Sequence, residues 1–484
     1  MGIRTGQQYL DDLDRNPREI WIDGEKITEG ITKHPAFRNI ARSVAHLYDM
    51  QNDPALIDEM TYISPKSGER VGMSFLQPKT VEDLIKRRTM MKHWADYSGG
   101  MMGRSPDYLN SDLMALAAAS DFFAENDPRF GENIRAYYEY VRENDLCTTH
   151  TLIHPQVNRA AGAAGQPDPY VAARVVDKTK DGIIVRGARM LATLPLADEL
   201  LVFPSTVVRS TEEDRPYAYA FAVPLSTPGL RFLCRETFDY GKPAFDHPLG
   251  ARFEEMDAVV VFDDVLVPWD RVFLLDSPEL ANRMYMETNA VVHMTYQVMV
   301  KDIAKAEFIL GVASLMTDMI GIGQFQHVQE KLAKIIMTVE AMKAFQRASE
   351  VDASVDRWGI MTPDFKPLNA ARNLFPRIYP KLVEILQLLG AGGLMAIPTE
   401  ADMNSPIRPD IDHYYQGRNA NADERIRLFR LAWDIAVSTF GGRQVLYERF
   451  FFGDPVRMAG ALYQWYDHED IKKRVRQFLY RNDD

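Results

Sequence analysis

"VAARVVDKTKDGIIVRGARMLAT", residues 171–193, is the stretch whose reading decides the fold. Two runs rich in Val and Ile flank Asp181-Gly182, a dipeptide suited to the tight turn of a β-hairpin. C-terminal to it, "DELLVFPST" (198–206), "YAYAFAVPL" (217–225) and "MDAVVVFDDVLVPWDRVFL" (256–274) add further β-branched and aromatic runs closed by prolines. Residues 147–277 are therefore expected to form a β domain, a barrel or sandwich.

On both sides of this segment the hydrophobic period lengthens. In "TVEDLIKRRTMMKHWADYS" (80–98), Val81, Leu84, Ile85 and Met90 recur at helical spacing behind a Thr80 cap. "SDLMALAAASDFFAEN" and "FGENIRAYYEYVREN" continue the pattern, giving an N-terminal helical domain over residues 1–146. Beyond 278, "HVQEKLAKIIMTVEAMKAFQ" carries one apolar stripe of Val328, Leu332, Ile335, Val339, Met342 and Phe345. "MVKDIAKAEFILGVASLM", "KLVEILQLLG" and "DERIRLFRLAWDIAVSTF" supply three more such helices, so 278–484 is expected to be a four-helix bundle with a tail. The fold class is α+β, with the helical–β–helical outline of the acyl-CoA-dehydrogenase-like flavoproteins. That outline alone does not fix a function.

The 484 residues exceed what one hydrophobic core serves, and the formal net charge is −12. Diffuse negative charge argues against nucleic acid, whose binding rests on neutralising phosphates, but permits a small anion held by one local arginine. Two cysteines, Cys147 and Cys234, exclude a disulfide framework or a cysteine-built metal centre. The N-terminal "MGIRTGQQYLDDLDRN" turns acidic before any apolar signal core, and no apolar run is long enough to span a bilayer. A cytoplasmic protein without a membrane partner is expected.

Four motifs carry potential chemistry. "YSGGMMGRSPDYLN" (97–110) delivers a cation, Arg104, and a phenol, Tyr108, from a glycine-rich loop; the plain alternative is a turn with a solvated arginine. "CTTHTLIHPQVNR" (147–159) places His150 and His154 four apart. Pro155 disfavours the helix that a two-histidine metal site would need, so no metal is expected. The same segment instead offers polar donors that suit a flavin or a phosphate, or simply a polar junction loop. "LQLLGAGGLMAIP" (386–398) closes a helix rather than opening one, so it is a C-cap with a close helix approach and not a dinucleotide fingerprint. In "FGGRQVLYERFFFGDP" (440–455), Gly441 and Gly442 free the backbone for an anion and Arg443 supplies charge, whereas Phe450, Phe451 and Phe452 suit a core.

"GRSPDY", "HTLIHPQVNR", "ARMLATLPLADELLVFPST", "FDDVLVPWDRVF", "ADERIRLFRLAWDIA" and "FGGRQVLYERFFFGDP" resemble, along essentially the whole chain, the 4-hydroxyphenylacetate 3-hydroxylase/4-hydroxybutyryl-CoA dehydratase family. The resemblance implies the oxygenase component of a two-component monooxygenase. Such an enzyme takes FADH2 from a separate NAD(P)H-flavin reductase by diffusion and O2 as co-substrate, and ortho-hydroxylates a phenol, 4-hydroxyphenylacetate first, through a C4a-hydroperoxyflavin. It implies a homotetramer, a dimer of dimers. Alternatives are a phenol or chlorophenol monooxygenase of the same family, or an acyl-CoA-dehydrogenase-type flavoenzyme.

By the same resemblance Arg104, Tyr108 and His150 surround the phenolic oxygen as catalytic residues. Arg104 favours the phenolate, Tyr108 donates a hydrogen bond and His150 takes the proton. Ser205 and Thr206 hold the substrate's carboxylate, and His293 is a second base candidate. Flavin contacts are implied at His150, Thr151, Leu152, Gln156, Val157, Asn158, Arg159, Thr193, Gly441, Gly442, Arg443 and Gln444. The dehydratase branch needs an iron–sulfur cluster on three cysteines and a histidine. Arg104, Tyr108 and Val300 stand where its cysteines belong, so that activity is excluded.

Overall fold

A computed structural model of the chain describes residues 2–205 and 208–481. Its middle is built from two open sheets that face each other, not a closed barrel. The strands are β1 Glu19–Ile22, β2 Glu25–Ile27, β3 Thr61–Ile63, β4 Arg70–Gly72, β5 Thr148–Thr151, β6 Arg174–Lys178, β7 Gly182–Thr193, β8 Glu199–Val202, β9 Tyr219–Pro224, β10 Leu230–Cys234, β11 Asp257–Pro268 and β12 Val272–Leu275. The larger sheet runs β2-β1-β10-β11-β7-β6, the smaller β12-β9-β8-β5, and β3-β4 is a separate hairpin. Along β11, Ala258, Val260, Phe262, Val265 and Val267 are buried, the alternation of a half-covered strand.

The β6–β7 hairpin forms as expected, closed by the Thr179 N–H donating to Gly182 O at 2.8 Å. Gly182 serves a different purpose from the expected one. Its φ is not positive; instead a Cβ there would lie 2.0 Å from the carbonyl oxygen of Val267, so glycine permits close strand approach. The N-terminal segment is also not wholly helical. "EIWI" forms β1, which pairs in parallel with β10 and buries Ile20 and Ile22 in the larger sheet. Four residues are too short a run to show periodicity against the helices around them.

The helices begin as their caps dictate. Val81–Tyr97 opens on the Thr80/Asp83 capping box. The helix Ala290–Ile320 is the central rod. It packs on Gln326–Val351, Phe365–Gly390 and Ala422–Ala436 behind, and on Val81–Tyr97 and Asp107–Ala118 in front. In the expected stripe Val328, Ile335, Val339 and Met342 are buried, with Leu332 and Phe345 packed half-buried beside them. "DERIRLFRLAWDIAVSTF" is not one helix: it stops at Ala436, and Ser438 caps a second helix, Thr439–Phe450. The helix ending at Gly390 closes as expected, with Gly390 against Leu394 and Met316 and Gly393 against Phe429. Among the described residues no helix is long and apolar enough to cross a membrane.

Candidate active site

The loop that delivers Arg104 is pinned rather than flexible. Met101 and Met102 are buried, and the glycines before and after them allow other side chains to approach. Gly100 has φ +71° and lies against Lys301 and Lys305. At Gly103 a Cβ would stand 2.4 Å from the Tyr447 ring and hydroxyl. The Glu255 carboxylate accepts the backbone N–H groups of Gly103 (3.0 Å) and Arg104 (2.6 Å). Tyr447 finishes the clamp. Its hydroxyl accepts from Arg104 Nη1 at 3.1 Å and donates to Gly103 O at 3.0 Å.

The Arg104 guanidinium lies against two adjoining rings, 4.6 Å from the Tyr108 centroid and 4.4 Å from that of Phe451. Tyr108 sits on the first turn of Asp107–Ala118, and its ring centroid is 5.8 Å from His150 on β5. Two elements distant in sequence thus bring cation, phenol and imidazole together. Phe203 follows β8 at 6.4 Å from His150, and Tyr285 stands edge-on to it at 5.8 Å. His150 is buried and its Nδ1 has no hydrogen-bond partner among the described residues. Burial, then the Arg104 charge, push its pKa well below the usual histidine value, so the imidazole is neutral. Burial raises the Tyr108 phenol and Arg104 opposes that shift, leaving Tyr108 a neutral donor.

The residues expected around a flavin divide into two sets. Gln156, Val157, Asn158 and Arg159 are exposed on the loop that follows β5, and Leu152 O accepts from the buried Arg189 at 3.0 Å. The Thr151 hydroxyl donates to Met190 O at 2.5 Å. The other set is already engaged. The Thr193 hydroxyl donates to Asp257 (2.8 Å). Arg443 is paired with Asp257 (2.7 Å) and Glu255 (3.3 Å), and Gln444 bridges Lys305 Nζ and Met101 O. Gly441 and Gly442 are not a free turn; they lie in the first turn of Thr439–Phe450 because Ser438 caps it, with Gly442 bare to its surroundings. A flavin fits this chain: His150 Nδ1 and Thr148 Oγ1 are buried without partners among the described residues, and Gly442 offers an open backbone surface.

Ser205 is half-buried beyond β8, and Thr206 lies outside the described residues. His293 is fully buried in the bundle. Its ring nitrogens face Arg87 (3.4 Å) and Thr362 (3.3 Å), not Tyr108 or His150. Sequence reasoning missed the frame: Glu255, Asp257, Tyr447, Asp112, Tyr285 and the buried cluster in which Glu448 takes Lys301 (2.6 Å) and Lys305 (2.5 Å). Lysines at 301 and 305 share one face of a largely apolar helix, a signal that could have exposed the cluster.

Solved structures share this architecture. A crystal structure of the oxygenase component of 4-hydroxyphenylacetate 3-monooxygenase complexed with FAD and 4-hydroxyphenylacetate matches with TM-score 0.94 and 52% identity over 98% of each chain. A 4-hydroxybutyryl-CoA dehydratase from N. maritimus, 20% identical at TM-score 0.88 over 99% of this chain and 96% of its own, shares the fold. Two-sheet core, helical bundle and buried cation–phenol–imidazole pocket define the class: an α+β flavoprotein hydroxylase. The family models "4-hydroxyphenylacetate 3-hydroxylase N terminal" and "C terminal" match residues 5–274 and 281–480. The chain belongs to the 4-hydroxyphenylacetate 3-hydroxylase family. It is 53% identical to 4-hydroxyphenylacetate 3-monooxygenase oxygenase components from Geobacillus sp. (strain PA-9), over 99% of this chain and 97% of the relative, and from Thermus thermophilus, over 98% and 97%.

Proposed function

We propose that this chain is the oxygenase of a two-component 4-hydroxyphenylacetate 3-monooxygenase, converting 4-hydroxyphenylacetate to 3,4-dihydroxyphenylacetate with reduced FAD and O2. The observation that carries the reading is the buried convergence of Arg104, Tyr108 and His150 with an unpaired imidazole nitrogen. His150, Thr151, Leu152, Gln156, Val157, Asn158 and Arg159, with the Gly441–Gly442 backbone, would hold FAD; Thr193, Arg443 and Gln444 shape that surface through their ion pairs and hydrogen bonds. Bound in its reduced form, the flavin supplies the chemistry that activates O2. A separate reductase delivers it by diffusion, in a cytoplasm that keeps Cys147 and Cys234 free. The working assembly is a homotetramer.

A free phenol has a pKa of about 10, so at neutral pH it arrives protonated. Arg104, fixed by Tyr447, sets a permanent cation beside the phenolic oxygen and favours the anion. Tyr108 remains protonated and donates to that oxygen. His150, neutral and buried, accepts the phenol's proton at a ring nitrogen; the nearby Arg104 makes that proton easy to pass on. Phe203, Phe451 and Tyr285 wall the pocket from water. Ser205 and Thr206 take the substrate's carboxylate, and His293, tied to Arg87 and Thr362, is the reserve base.

His150→Ala tests the assignment. With reduced FAD, O2 and 4-hydroxyphenylacetate, catechol formed per O2 consumed is expected to fall by about 100-fold, the contribution typical of a positioned acid–base group, while flavin oxidation continues. Unchanged coupling would remove His150 from the mechanism.

A further inference from the structure

The helix Asp107–Ala118 distributes its polar side chains by face. Asp107 accepts from Gln297 (2.9 Å), Ser111 from Arg87 (2.8 Å), and Asn110 donates to Ser74 (3.0 Å); these residues turn toward the bundle and the N-terminal core. Tyr108 and Asp112, one turn apart, share another face, and Tyr108 is in the pocket. Asp112 is 0% exposed, and neither carboxyl oxygen has a hydrogen-bond partner among the described residues. The groups its charge reaches are the phenols of Tyr108 and Tyr285. Tyr285 packs on Phe203, two residues before Ser205, so the reach of Asp112 runs from the phenolic side at Tyr108 to the wall that leads to Ser205.

We propose that Asp112 is a specificity-determining residue of the substrate pocket, a neutral carboxylic acid that donates a hydrogen bond to the carboxylate of an anionic phenol. A group buried without partners costs the fold stability, and a chain tolerates that at a site where a ligand completes the bonding. Burial alone pushes the Asp112 pKa up to about 8. The cations of the neighbouring elements, Arg104 before its helix, Lys301 on Ala290–Ile320 and Arg189 on β7, face Tyr108 or Tyr285 and do not offset that shift; His150 on β5 is neutral. Below that value Asp112 donates to the substrate's carboxylate; above it, two anions face each other. The pocket thereby distinguishes a phenol with an acidic tail from one without. The proposal rests on Arg104, Tyr108 and His150 being the phenol site.

The test is anaerobic calorimetric titration of the protein loaded with reduced FAD, using 4-hydroxyphenylacetate and 4-methylphenol between pH 6.5 and 9. In the wild type, Kd for 4-hydroxyphenylacetate is expected to rise about tenfold through pH 8, the value of one charged hydrogen bond, while that for 4-methylphenol stays level. Asp112→Asn should abolish the inflection. Asp112→Leu should weaken only the anionic ligand at pH 7, by about tenfold. Both variants should melt at or above the wild-type temperature at pH 8. Between about pH 4 and 8 the folded chain holds a proton that the unfolded chain has released, so this acid lowers stability as pH rises through that window. An inflection kept by Asp112→Asn, or equal weakening of both ligands by Asp112→Leu with a lower melting temperature, overturns the proposal. Arg104→Ala separates the two readings. It should weaken both phenols; if it weakens neither, the phenol site itself is elsewhere and Asp112 falls with it.

Discussion

Arg104 derives its value from what surrounds it rather than from its charge alone. A lone arginine on a loop would spread over many rotamers, whereas here two adjoining rings hold the guanidinium and Nη1 is tied to Tyr447. On the proposed mechanism Tyr447 is a positioning residue that acts on the phenol through Arg104, and its hydroxyl serves the loop as well through Gly103 O. Tyr447→Phe keeps the ring that the guanidinium stacks on and removes only the two hydrogen bonds. A hydrogen bond from a charged donor contributes about 1.5–3 kcal/mol, so kcat/KM is expected to drop about ten- to hundredfold, mostly through KM, with a melting shift of only a few degrees. Steady-state kinetics at saturating reduced FAD would show it; an unaltered KM would mean that the rings alone orient Arg104. Gly103→Ala should be harsher, because its Cβ would collide with the same tyrosine.

At the scale of elements, the helix Thr439–Phe450 is fastened to the start of β11 by a buried ion network. Arg443 reaches Asp257 and Glu255, and Arg235 adds a second cation to Asp257. Burial opposes the Asp257 charge, but Arg443 and Arg235 outweigh it and hold its carboxyl well below the usual range. A depressed folded pKa means stabilisation that is complete above the unfolded value of about 3.9 and lost as pH falls through the folded one. Arg443→Met should cost about 3–5 kcal/mol at pH 7 by stranding buried carboxylates, and should flatten the acid limb of unfolding between pH 4 and 2, measurable by circular dichroism. Little of this network was legible beforehand. The helices and strands were, because apolar spacing and Thr80 or proline punctuation are local properties. Arg104, Tyr108 and His150 were legible through motif resemblance, not through any local rule. Glu255 and Asp257 read as ordinary acids before a strand, since ion pairing across 186 residues leaves no mark on spacing. Asp112 sat in an unbroken helical pattern and read as one more polar position. Ser438 was overlooked because the apolar run on either side of it keeps its period.

Over the whole molecule, each long helix buries part of its surface up to the tail, and there the pattern reverses. Pro455–Trp465 and Glu469–Leu479 contain no buried residue, yet Val456, Tyr463, Phe478 and Leu479 are all more than 60% exposed. The tail is held to its own chain by little more than Trp465 against Phe365 and Arg377 against Pro455 O. Apolar side chains at this density on two amphipathic helices suit burial against a further copy of the chain, as the proposed tetramer requires. A net charge of −12 works against self-association, so the proposed assembly would rest on apolar area. Burying one phenylalanine and one leucine contributes about 2 kcal/mol each, repeated at every symmetry-related contact. Phe478→Asp combined with Leu479→Asp therefore removes several kcal/mol per interface and sets like charges opposite one another. Sedimentation velocity is expected to show the assembly falling from four 55.2 kDa chains to a smaller species, with the secondary structure of the isolated fold intact by circular dichroism. A tetramer that survives the double substitution would place the interface on other surfaces, such as the exposed Leu388 and Met395 at the end of the helix Phe365–Gly390.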